Sequence, residues 1–260
     1  MSMPIRIIDT GLQSAGLNAA MCAALLELHH AGRIPDTWRF YRQPSAVLLG
    51  LDKSYRGEIR AEHCRLNKIE IARRCTVGDT VYVGPGILSW EIIIGSDSFG
   101  PWIGNLGVFV GRALSAGVSR LGLPTQYKPP CDIVINGRKL ARSFATSVGN
   151  TFVIFGDINI EADFSEGTKT LRRGNHAPEY SVNLSEFIGR VPALEDVEGV
   201  LIAELSNRLR WTPVSGSVTN EEAALAERLL ADKFGKQEFI LGHSRKRNIA
   251  SAIRPREYRT

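Results

Sequence analysis

The chain of 260 residues is 43% hydrophobic and 23% charged, which is typical of a globular protein with a substantial core. It contains no apolar run near the ~20 residues that a membrane-spanning helix needs, and its first residues, MSMPIRIIDTG, lack the basic and apolar blocks of a signal peptide. We therefore expect a cytoplasmic protein without a membrane partner.

The net charge of +5 is concentrated at the C-terminus, where positions 243–260 contain six arginine or lysine residues and one glutamate. A stacking platform for nucleic acid would place aromatic residues among these cations, but Tyr258 is the sole aromatic residue there. We do not expect nucleic acid as a partner. The pattern predicts a single domain over residues 1–242, followed by a basic tail over 243–260.

The first third of the chain begins with a predicted helix over 14–32, since Leu17, Met21, Leu25 and Leu28 recur on one helical face. Strands are predicted at 38–41 and 46–49, where β-forming runs are separated by a proline and followed by a glycine. A short helix over 59–66 then leads to a strand at 69–74.

The middle third is rich in predicted strands. Two strands at 80–83 and 87–94 precede a helix over 101–121, which has a proline in its first turn. Three further strands, at 132–135, 139–145 and 151–160, form a meander. Asn136-Gly137 lies between the first two of these, and this pair favours a tight hairpin because both residues tolerate positive φ.

The last third is helical, with predicted helices at 197–209 and 219–234. Thr219 and Glu222 have the spacing of a capping box, in which each side chain satisfies a backbone N–H of the other at the helix start. Strands clustered in the middle of the chain, with helices before and after, predict an α+β fold with a mixed, largely antiparallel sheet flanked by helices.

The four cysteines are Cys22, Cys64, Cys75 and Cys131. None of them forms a C-x-x-C pair, and no histidines stand at zinc-binding distance in the sequence. We expect free thiols and no metal site, because a disulfide framework is unusual in a cytoplasmic chain of this size.

Three segments point to a known family. They are PSAVLLGLDKSYRGEI (44–59), IEIARRCTVGDTVYVGPGILSWEIII (69–94) and DIVINGRKLARSFA (132–145). In order and spacing they resemble lipoate-protein ligases, which group with biotin ligases and octanoyltransferases; they match the lipoate branch better than the biotin branch. The resemblance implies a lipoate-ligase-like catalytic domain over 1–242, an α/β sandwich like that of biotin ligases and class II aminoacyl-tRNA synthetases.

The resemblance also implies a reaction. Lipoate or octanoate would react with ATP and Mg²⁺ to form an acyl-adenylate, and the acyl group would then pass to a lysine of a lipoyl carrier domain. This carrier would be like the H protein of glycine cleavage or an E2 subunit. Because no fused accessory domain is visible, such a ligase would need a separate small accessory subunit. Related transferases skip ATP and take the acyl group from a thioester or another carrier.

Lys139 is the candidate catalytic residue, because it matches the lysine of the family's third segment. An ammonium at this position can hold an adenylate phosphate and neutralise the oxygen that gains charge when the acyl carbon is attacked. A compact charge on a flexible side chain suits that role. Read without its surroundings, Arg138-Lys139 would be an ordinary charged strand start.

The second segment departs from the family pattern of Arg-Arg-x-Ser/Thr-Gly-Gly-Gly-x-Val-Tyr-His. Val77 and Asp79 replace two glycines, Val83 replaces the histidine, and a carboxylate at Asp79 would repel a triphosphate. In the third segment Arg142 replaces a glycine and offers an anion contact. The residues expected to bind the acyl-adenylate are Arg74, Thr76, Val77, Gly78, Asp79, Tyr82, Val83, Asp132, Arg142 and Ser143.

Cys131 is a second candidate for chemistry, because some acyltransferases of this family pass the acyl group through a cysteine thioester. Its position does not match that of the transferase cysteine, so an inert thiol is the alternative. We therefore carry three hypotheses: an acyl-adenylate-forming ligase as the main one, an ATP-independent lipoyl or octanoyl transferase, and a non-catalytic relative that binds a lipoyl carrier.

Overall fold

The computed structural model describes residues 2–98, 106–172 and 180–242. Up to the middle of the chain its elements are β1 (Met3–Leu12), α1 (Ala15–His30), β2 (Thr37–Arg42), β3 (Ala46–Leu49), α2 (Tyr55–Glu58), α3 (Ala61–Leu66), β4 (Glu70–Arg73), β5 (Val81–Val83) and β6 (Ile87–Gly95). They are followed by α4 (Leu106–Ser119), β7 (Thr125–Lys128), β8 (Asp132–Ile135), β9 (Arg138–Val148), β10 (Thr151–Asn159), α5 (Phe164–Thr170), α6 (Leu184–Ile188), α7 (Leu194–Leu209), β11 (Trp211–Ser215), α8 (Asn220–Leu229) and α9 (Gln237–Leu241).

The described strands form two sheets. The large sheet has eight strands in the order β11-β1-β2-β6-β10-β9-β8-β7, and the small sheet has the order β4-β3-β5. In the large sheet β1 pairs in parallel with β11 and β2, and the remaining neighbours are antiparallel. This confirms the predicted mixed, largely antiparallel sheet flanked by helices.

The large sheet is covered on both faces. Trp38, Trp90 and Ile154 point to the face that packs against α4 and α7. Their neighbours along the strands, such as Ile93 and Val153, point to the opposite face and pack against α1 and α8. Alternate residues of a strand face opposite sides of the sheet, so the two faces of the large sheet belong to two separate hydrophobic cores.

Helix α1 is buried on most of its surface, because it packs against the large sheet, the small sheet and α8. Its alanine-rich sequence lets the backbone approach all three. Ser14 caps its start, with the side-chain oxygen accepting a hydrogen bond from Leu17 N at 3.2 Å. The predicted capping box at Thr219 and Glu222 is also present at the start of α8.

The loop between β4 and β5 is anchored by Arg73, which is completely buried. Its guanidinium donates to the backbone oxygens of Gly50, Lys53 and Ile240 at 2.7–2.8 Å. Gly50 itself touches the loop: a Cβ at this position would lie 1.9 Å from the oxygen of Gly78. The first arginine of the Arg-Arg pair therefore holds the loop in place and is not available to a ligand.

The sequence patterns missed β1, the edge strands β7 and β11, and the short helices α2, α5, α6 and α9. Edge strands are hard to recognise because their exposed residues are polar or, as Pro213 in β11, unusual in a sheet. The predicted helix over 101–121 begins at residues 101–105, which lie outside the described residues, as does the basic tail at 243–260. None of the helices in the described ranges is long and apolar enough to span a bilayer.

Candidate functional site

Strand register brings five polar residues into a row across the large sheet. Asp132 in β8 is opposite Arg142 in β9, which is opposite Asp157 in β10, and the row continues through Ser89 and Tyr41. Arg142 Nε and Nη2 donate to Asp157 Oδ2 at 3.1 and 2.9 Å, and Ser89 Oγ donates to Asp157 Oδ1 at 2.8 Å. Arg142 and Asp157 of this row line one cavity, and Tyr41 lines a second one.

The first cavity is polar. It is lined by the cations Lys139 and Arg142 and by polar groups from β5, β10 and the segment after α5. The lining includes Tyr82, Asp157, Asn159, Asp163 and Ser181. Tyr82 Oη donates to Ser45 Oγ at 3.1 Å, which holds the tyrosine at the cavity wall.

Lys139 is placed at this cavity by the β8–β9 hairpin. Asn136 and Gly137 form its turn with φ values of 51° and 79°, as the sequence predicts. The Lys139 ammonium lies 3.2 Å from Asp132 Oδ1, and a third of its side chain is exposed. Its backbone oxygen accepts hydrogen bonds from Val182 N at 2.9 Å and Asn159 Nδ2 at 3.3 Å. The side chain therefore lines the cavity and does not extend into bulk solvent.

The second cavity is mostly apolar and lies against α1. Ala15, Ala19, Leu48 and Phe155 line it, together with both thiols of Cys22 and Cys75. Glu91 also lines this cavity and forms a buried ion pair with Arg39 at 2.8 Å. The mostly apolar surface of the cavity is suited to an acyl chain.

Arg74 brings a positive charge to the edge of the apolar cavity. Its guanidinium lies 5.2 Å from the centre of the Phe155 ring, and its Nη2 donates to Asp79 O at 2.7 Å. Its Nε is buried without a hydrogen-bond partner. Burial, and then the charge of Arg142, lower the pKa of the Arg74 guanidinium. A negative or carbonyl oxygen of a ligand would relieve this unsatisfied donor.

Gln43 lies in the wall of the apolar cavity and is linked by hydrogen bonds to the wall of the polar cavity. Its Nε2 donates to Ser89 Oγ at 3.3 Å, and Ser89 in turn donates to Asp157. Gln43 lines the apolar cavity, whereas Asp157 lines the polar one. The Gln43 Oε1 atom is buried without a partner, so this link has a free acceptor at the apolar side.

The other expected binding residues are distributed unevenly. Thr76 lines the apolar cavity, and Gly78 has a φ of 115° where it contacts Gly50. Val77 and Asp79 are exposed on the loop and line neither cavity, and the Asp79 carboxylate lies 3.3 Å from Lys53 Nζ. Val77 and Asp79 are therefore not placed to contact an acyl group in either cavity.

Two further expected binding residues are buried away from the cavities. Val83 is completely buried in the core of the small sheet, because it is on the opposite side of β5 from Tyr82. Ser143 is 2% exposed and alternates with Arg142 along β9, so it faces away from the polar cavity. Neither residue can contact a ligand there.

Cys131 lies next to the Lys139–Asp132 pair but is not activated. Its thiol is 3.7 Å from Asp132 Oδ1. Burial, and then the Asp132 carboxylate, raise the pKa of Cys131 to about 11. At neutral pH this residue is therefore a thiol, which is a poor nucleophile compared with a thiolate.

The sequence patterns did not identify Asp157, Ser89, Gln43 or Tyr41 as site residues. One signal was available for Asp157, which interrupts the apolar strand TFVIFGDINI and is 14% exposed. A half-buried carboxylate in such a strand needs a partner, but the identity of that partner, Arg142, depends on the pairing of β9 with β10.

The site does not fit the Mg-ATP expected from the family resemblance. Both cations of the polar cavity are already paired with carboxylates, and Asp157 and Asp163 would face a triphosphate there. An acyl group, which carries little charge, suits this site better.

Known proteins with similar sequences include octanoyltransferases and one lipoate-protein ligase subunit. The chain is 24% identical to the octanoyltransferase LipM of Symbiobacterium thermophilum, over 88% of this chain and 95% of that protein. It is also 24% identical to the octanoyltransferase LipM of Brevibacillus brevis, over 91% and 98%. Subunit 1 of the lipoate-protein ligase A of Thermoplasma acidophilum is 21% identical over 80% and 85%.

Solved structures share the fold. A bi-partite lipoate protein ligase with its E2 lipoyl domain from Thermoplasma acidophilum superposes with a TM-score of 0.79 at 21% identity, covering 95% of this chain and 98% of that chain. A P. falciparum protein in complex with lipoate superposes with a TM-score of 0.72 at 15% identity, covering 93% and 74%. At these identities the likeness establishes the fold.

These relatives correct one expectation. The main hypothesis from the sequence was an acyl-adenylate-forming ligase, and it is wrong, because curated relatives that align over nearly their whole length are octanoyltransferases. In the polar cavity Lys139 is paired with Asp132 and Arg142 with Asp157, which makes the cavity less suited to a nucleotide and is consistent with this correction. Residues 14–206 match the family model described as the lipoyl protein ligase A/B catalytic domain, and the chain belongs to that family.

Proposed function

We propose that this protein transfers an octanoyl or lipoyl group, without ATP, from a thioester-bound donor to a lysine of a lipoyl carrier domain. One observation carries the proposal: a polar cavity with Lys139 and Arg142 and an apolar cavity have walls that are linked by hydrogen bonds through Asp157, Ser89 and Gln43. This arrangement suits a molecule that has an apolar chain and a reactive carbonyl at its end.

The apolar cavity would hold the acyl chain. Each buried methylene group contributes about 0.8 kcal/mol to binding, so a chain of this length can be held without any charged contact. The carbonyl would then lie beside Arg74, which is close enough to Arg142 of the polar cavity for the two charges to interact.

The cations would stabilise the transition state. The carrier lysine attacks the thioester carbon as a neutral amine, the carbonyl oxygen becomes negative, and the thiolate leaves as the carbonyl reforms. The proton lost from the amine ends on the thiol product. Lys139 is the group that would neutralise the oxygen, because its ammonium is held at the cavity by Asp132.

Direct transfer is favoured over an enzyme-bound thioester at Cys131. That step would need a thiolate, whereas the pKa of Cys131 is raised to about 11 by burial and Asp132. We therefore expect Cys131→Ser to keep a transfer rate within about threefold of the wild type. A loss of transfer together with no covalent acyl adduct in wild-type protein would point to a role in positioning.

The carrier is expected to be a small lipoyl domain, either of the glycine-cleavage H type or of the E2 type. The Thermoplasma structure that shares this fold contains an E2 lipoyl domain. A separate accessory subunit was expected only for the ligase reaction, and transfer from a thioester has no need of it.

The test is an acyl-transfer assay that omits ATP. The full chain is incubated with octanoyl-loaded acyl carrier protein and a lipoyl domain, and the lipoyl domain is weighed by intact mass spectrometry. We expect the mass to rise by one octanoyl group, and a lipoyl domain whose acceptor lysine is changed to arginine to show no gain. A gain that required free octanoate with Mg-ATP would contradict the proposal, and binding of the lipoyl domain without any gain would indicate a non-catalytic relative.

A further inference from the structure

Two cysteines that the transfer reaction does not use lie against each other in the wall of the apolar cavity. Cys22 belongs to α1 and Cys75 to the loop after β4, and their sulfur atoms are 3.6 Å apart. Cys75 is 1% exposed and Cys22 is 9% exposed, yet both line the cavity. The pair therefore faces the proposed acyl chain on one side and the protein interior on the other.

We propose that Cys22 and Cys75 form an oxidisable thiol pair, which a small hydroperoxide converts to a disulfide that narrows the apolar cavity. The pair is built from residues 53 positions apart, so its closeness is a product of the fold. The effect on acyl transfer rests on the function proposed above, whereas disulfide formation does not.

The geometry indicates which side would move. A disulfide requires the two sulfurs to approach from 3.6 Å to about 2.05 Å. Cys22 is held in a helix that packs against two sheets, whereas Cys75 lies on a loop. The loop would shift toward α1, and it would carry Arg74 and Thr76, which line the same cavity. Formation of the disulfide should therefore reduce the volume of the apolar cavity that is available to a ligand.

The chemistry balances with a hydroperoxide as the two-electron oxidant. The Cys75 thiolate attacks the terminal peroxide oxygen, which gives a sulfenic acid at Cys75 and releases the alcohol or, from hydrogen peroxide, water. Cys22 then attacks the sulfenic sulfur, the sulfur–sulfur bond forms, and the hydroxyl leaves as water with the Cys22 proton.

The two thiols have different roles in this sequence. The hydrogen bond with Cys75, then burial, raise the pKa of Cys22 well above its usual value. Cys22 therefore keeps its proton, whereas Cys75 lines the cavity together with its neighbour Arg74, whose cation can stabilise the negative charge that develops on the peroxide during attack. Cys75 is the attacking residue and Cys22 the resolving one.

The first experiment tests the bond itself. Reduced full-length protein is treated with hydrogen peroxide, its remaining thiols are alkylated under denaturing conditions, and its peptides are mapped by mass spectrometry. We expect a peptide pair joined through Cys22 and Cys75 that disappears on reduction with dithiothreitol. Cys22→Ser and Cys75→Ser should each lack it, whereas Cys64→Ala, which changes a buried thiol in another core cluster, should retain it.

The second experiment tests the consequence. Oxidised wild-type protein should bind octanoate about tenfold more weakly than reduced protein, as expected if about two methylene groups lose their burial. Dithiothreitol should restore binding, and octanoate present during oxidation should slow formation of the bond. Absence of the joined peptides would overturn the thiol pair. A disulfide that left octanoate binding unchanged would overturn the narrowing of the cavity, whether or not the protein proves to be a transferase.

Discussion

A single ammonium group has the most direct role in the chemistry proposed for this protein. Lys139 could be identified from the sequence because it follows a recognisable hairpin turn, DIVINGRK, in a segment that resembles the lipoate-protein ligase family. The structure adds what surrounds it, namely Asp132 at 3.2 Å and the polar cavity. The paired carboxylate orients the ammonium and reduces the charge available to an anionic ligand, which is consistent with a neutral acyl group as substrate.

Replacing this lysine should remove transfer while the fold remains. We expect Lys139→Met to lower the rate of octanoyl transfer by about 10²–10³-fold, the usual cost of losing a group that stabilises a developing oxyanion. The measurement is the initial rate of mass gain on the lipoyl domain. Lys236→Met, at an exposed lysine before α9, serves as the matched control and should transfer at the wild-type rate. Equal rates in both variants would remove Lys139 from the mechanism.

The two neighbouring arginines of the Arg-Arg motif lie in different environments. Arg73 and Arg74 are adjacent, yet Arg73 is completely buried and anchors Gly50, Lys53 and Ile240 through their backbone oxygens, whereas Arg74 lines a cavity. The difference follows from the end of β4, where successive side chains point to opposite sides. The resemblance named Arg74 alone as a ligand contact, and the structure places Arg74 in a cavity wall and Arg73 in the interior.

At the scale of elements, the predictions were best where local patterns are strong. The strands Ala46–Leu49 and Asp132–Ile135 begin and end where the sequence predicts, because glycine or proline bounds the first and the Asn-Gly turn ends the second. The predicted helix over 59–66 begins slightly before α3 (Ala61–Leu66), and the separate short helix α2 (Tyr55–Glu58) was not predicted. Short helices have too few residues to show a period, so packing decides whether they form.

The loop that borders the apolar cavity depends on a glycine in another element. A Cβ at Gly50 would lie 1.9 Å from the oxygen of Gly78, so Gly50→Ala must displace the loop that holds Arg74, Cys75 and Thr76. We expect this variant to bind octanoate more weakly and to lose about 1–3 kcal/mol in the free energy of unfolding, as in other overpacked sites. Octanoate titration and urea unfolding are the measurements.

The control for this variant is a glycine with free space around it. Gly199 lies within α7, and a Cβ there would meet no atom within 4 Å. Gly199→Ala should leave octanoate binding unchanged and should raise the free energy of unfolding by about 0.5–1 kcal/mol, since alanine favours a helix over glycine. If both variants behaved alike, contact between Gly50 and the loop would not control the cavity.

At the scale of the whole molecule, the two ends of the described chain are joined by one buried ion pair. Arg6 in β1 contacts Glu222 in α8 through both carboxylate oxygens, and Glu222 is completely buried. Burial opposes ionisation of this group, but hydrogen bonds from Arg6 and from the backbone of Thr219 prevail and lower the pKa of Glu222. The glutamate of the predicted capping box therefore also has a long-range partner.

This ion pair should make stability depend on pH. Because the folded-state pKa of Glu222 lies below the ordinary value of 4.5, its contribution is complete above 4.5 and is lost as the pH falls through the lower folded value. Glu222→Gln should lower the free energy of unfolding at pH 7 by about 3 kcal/mol, since it leaves Arg6 without its buried partner. It should also show a shallower decline below pH 4.5 than the wild type.

Urea unfolding at a series of pH values between neutral and acid measures both effects. The exposed neighbour Glu221, whose partner Arg33 is also exposed, provides the matched control, and Glu221→Gln should change the free energy of unfolding at pH 7 by no more than about 0.5 kcal/mol. An unchanged stability in Glu222→Gln would mean that apolar packing and the pairing of β1 with β11 hold these parts of the chain together without this ion pair.

The sequence by itself determined the family, the class of fold and the hairpin that carries Lys139. These depend on short local patterns and on the order of such patterns along the chain, both of which can be seen without the structure. Only the tertiary structure decided that Arg142 pairs with Asp157, that Val83 is buried while Tyr82 lines the cavity, and that Cys22 meets Cys75 across 53 positions. Strand register and the packing of α1 set those contacts. Such contacts join residues far apart in the chain, so no local pattern of residues encodes them.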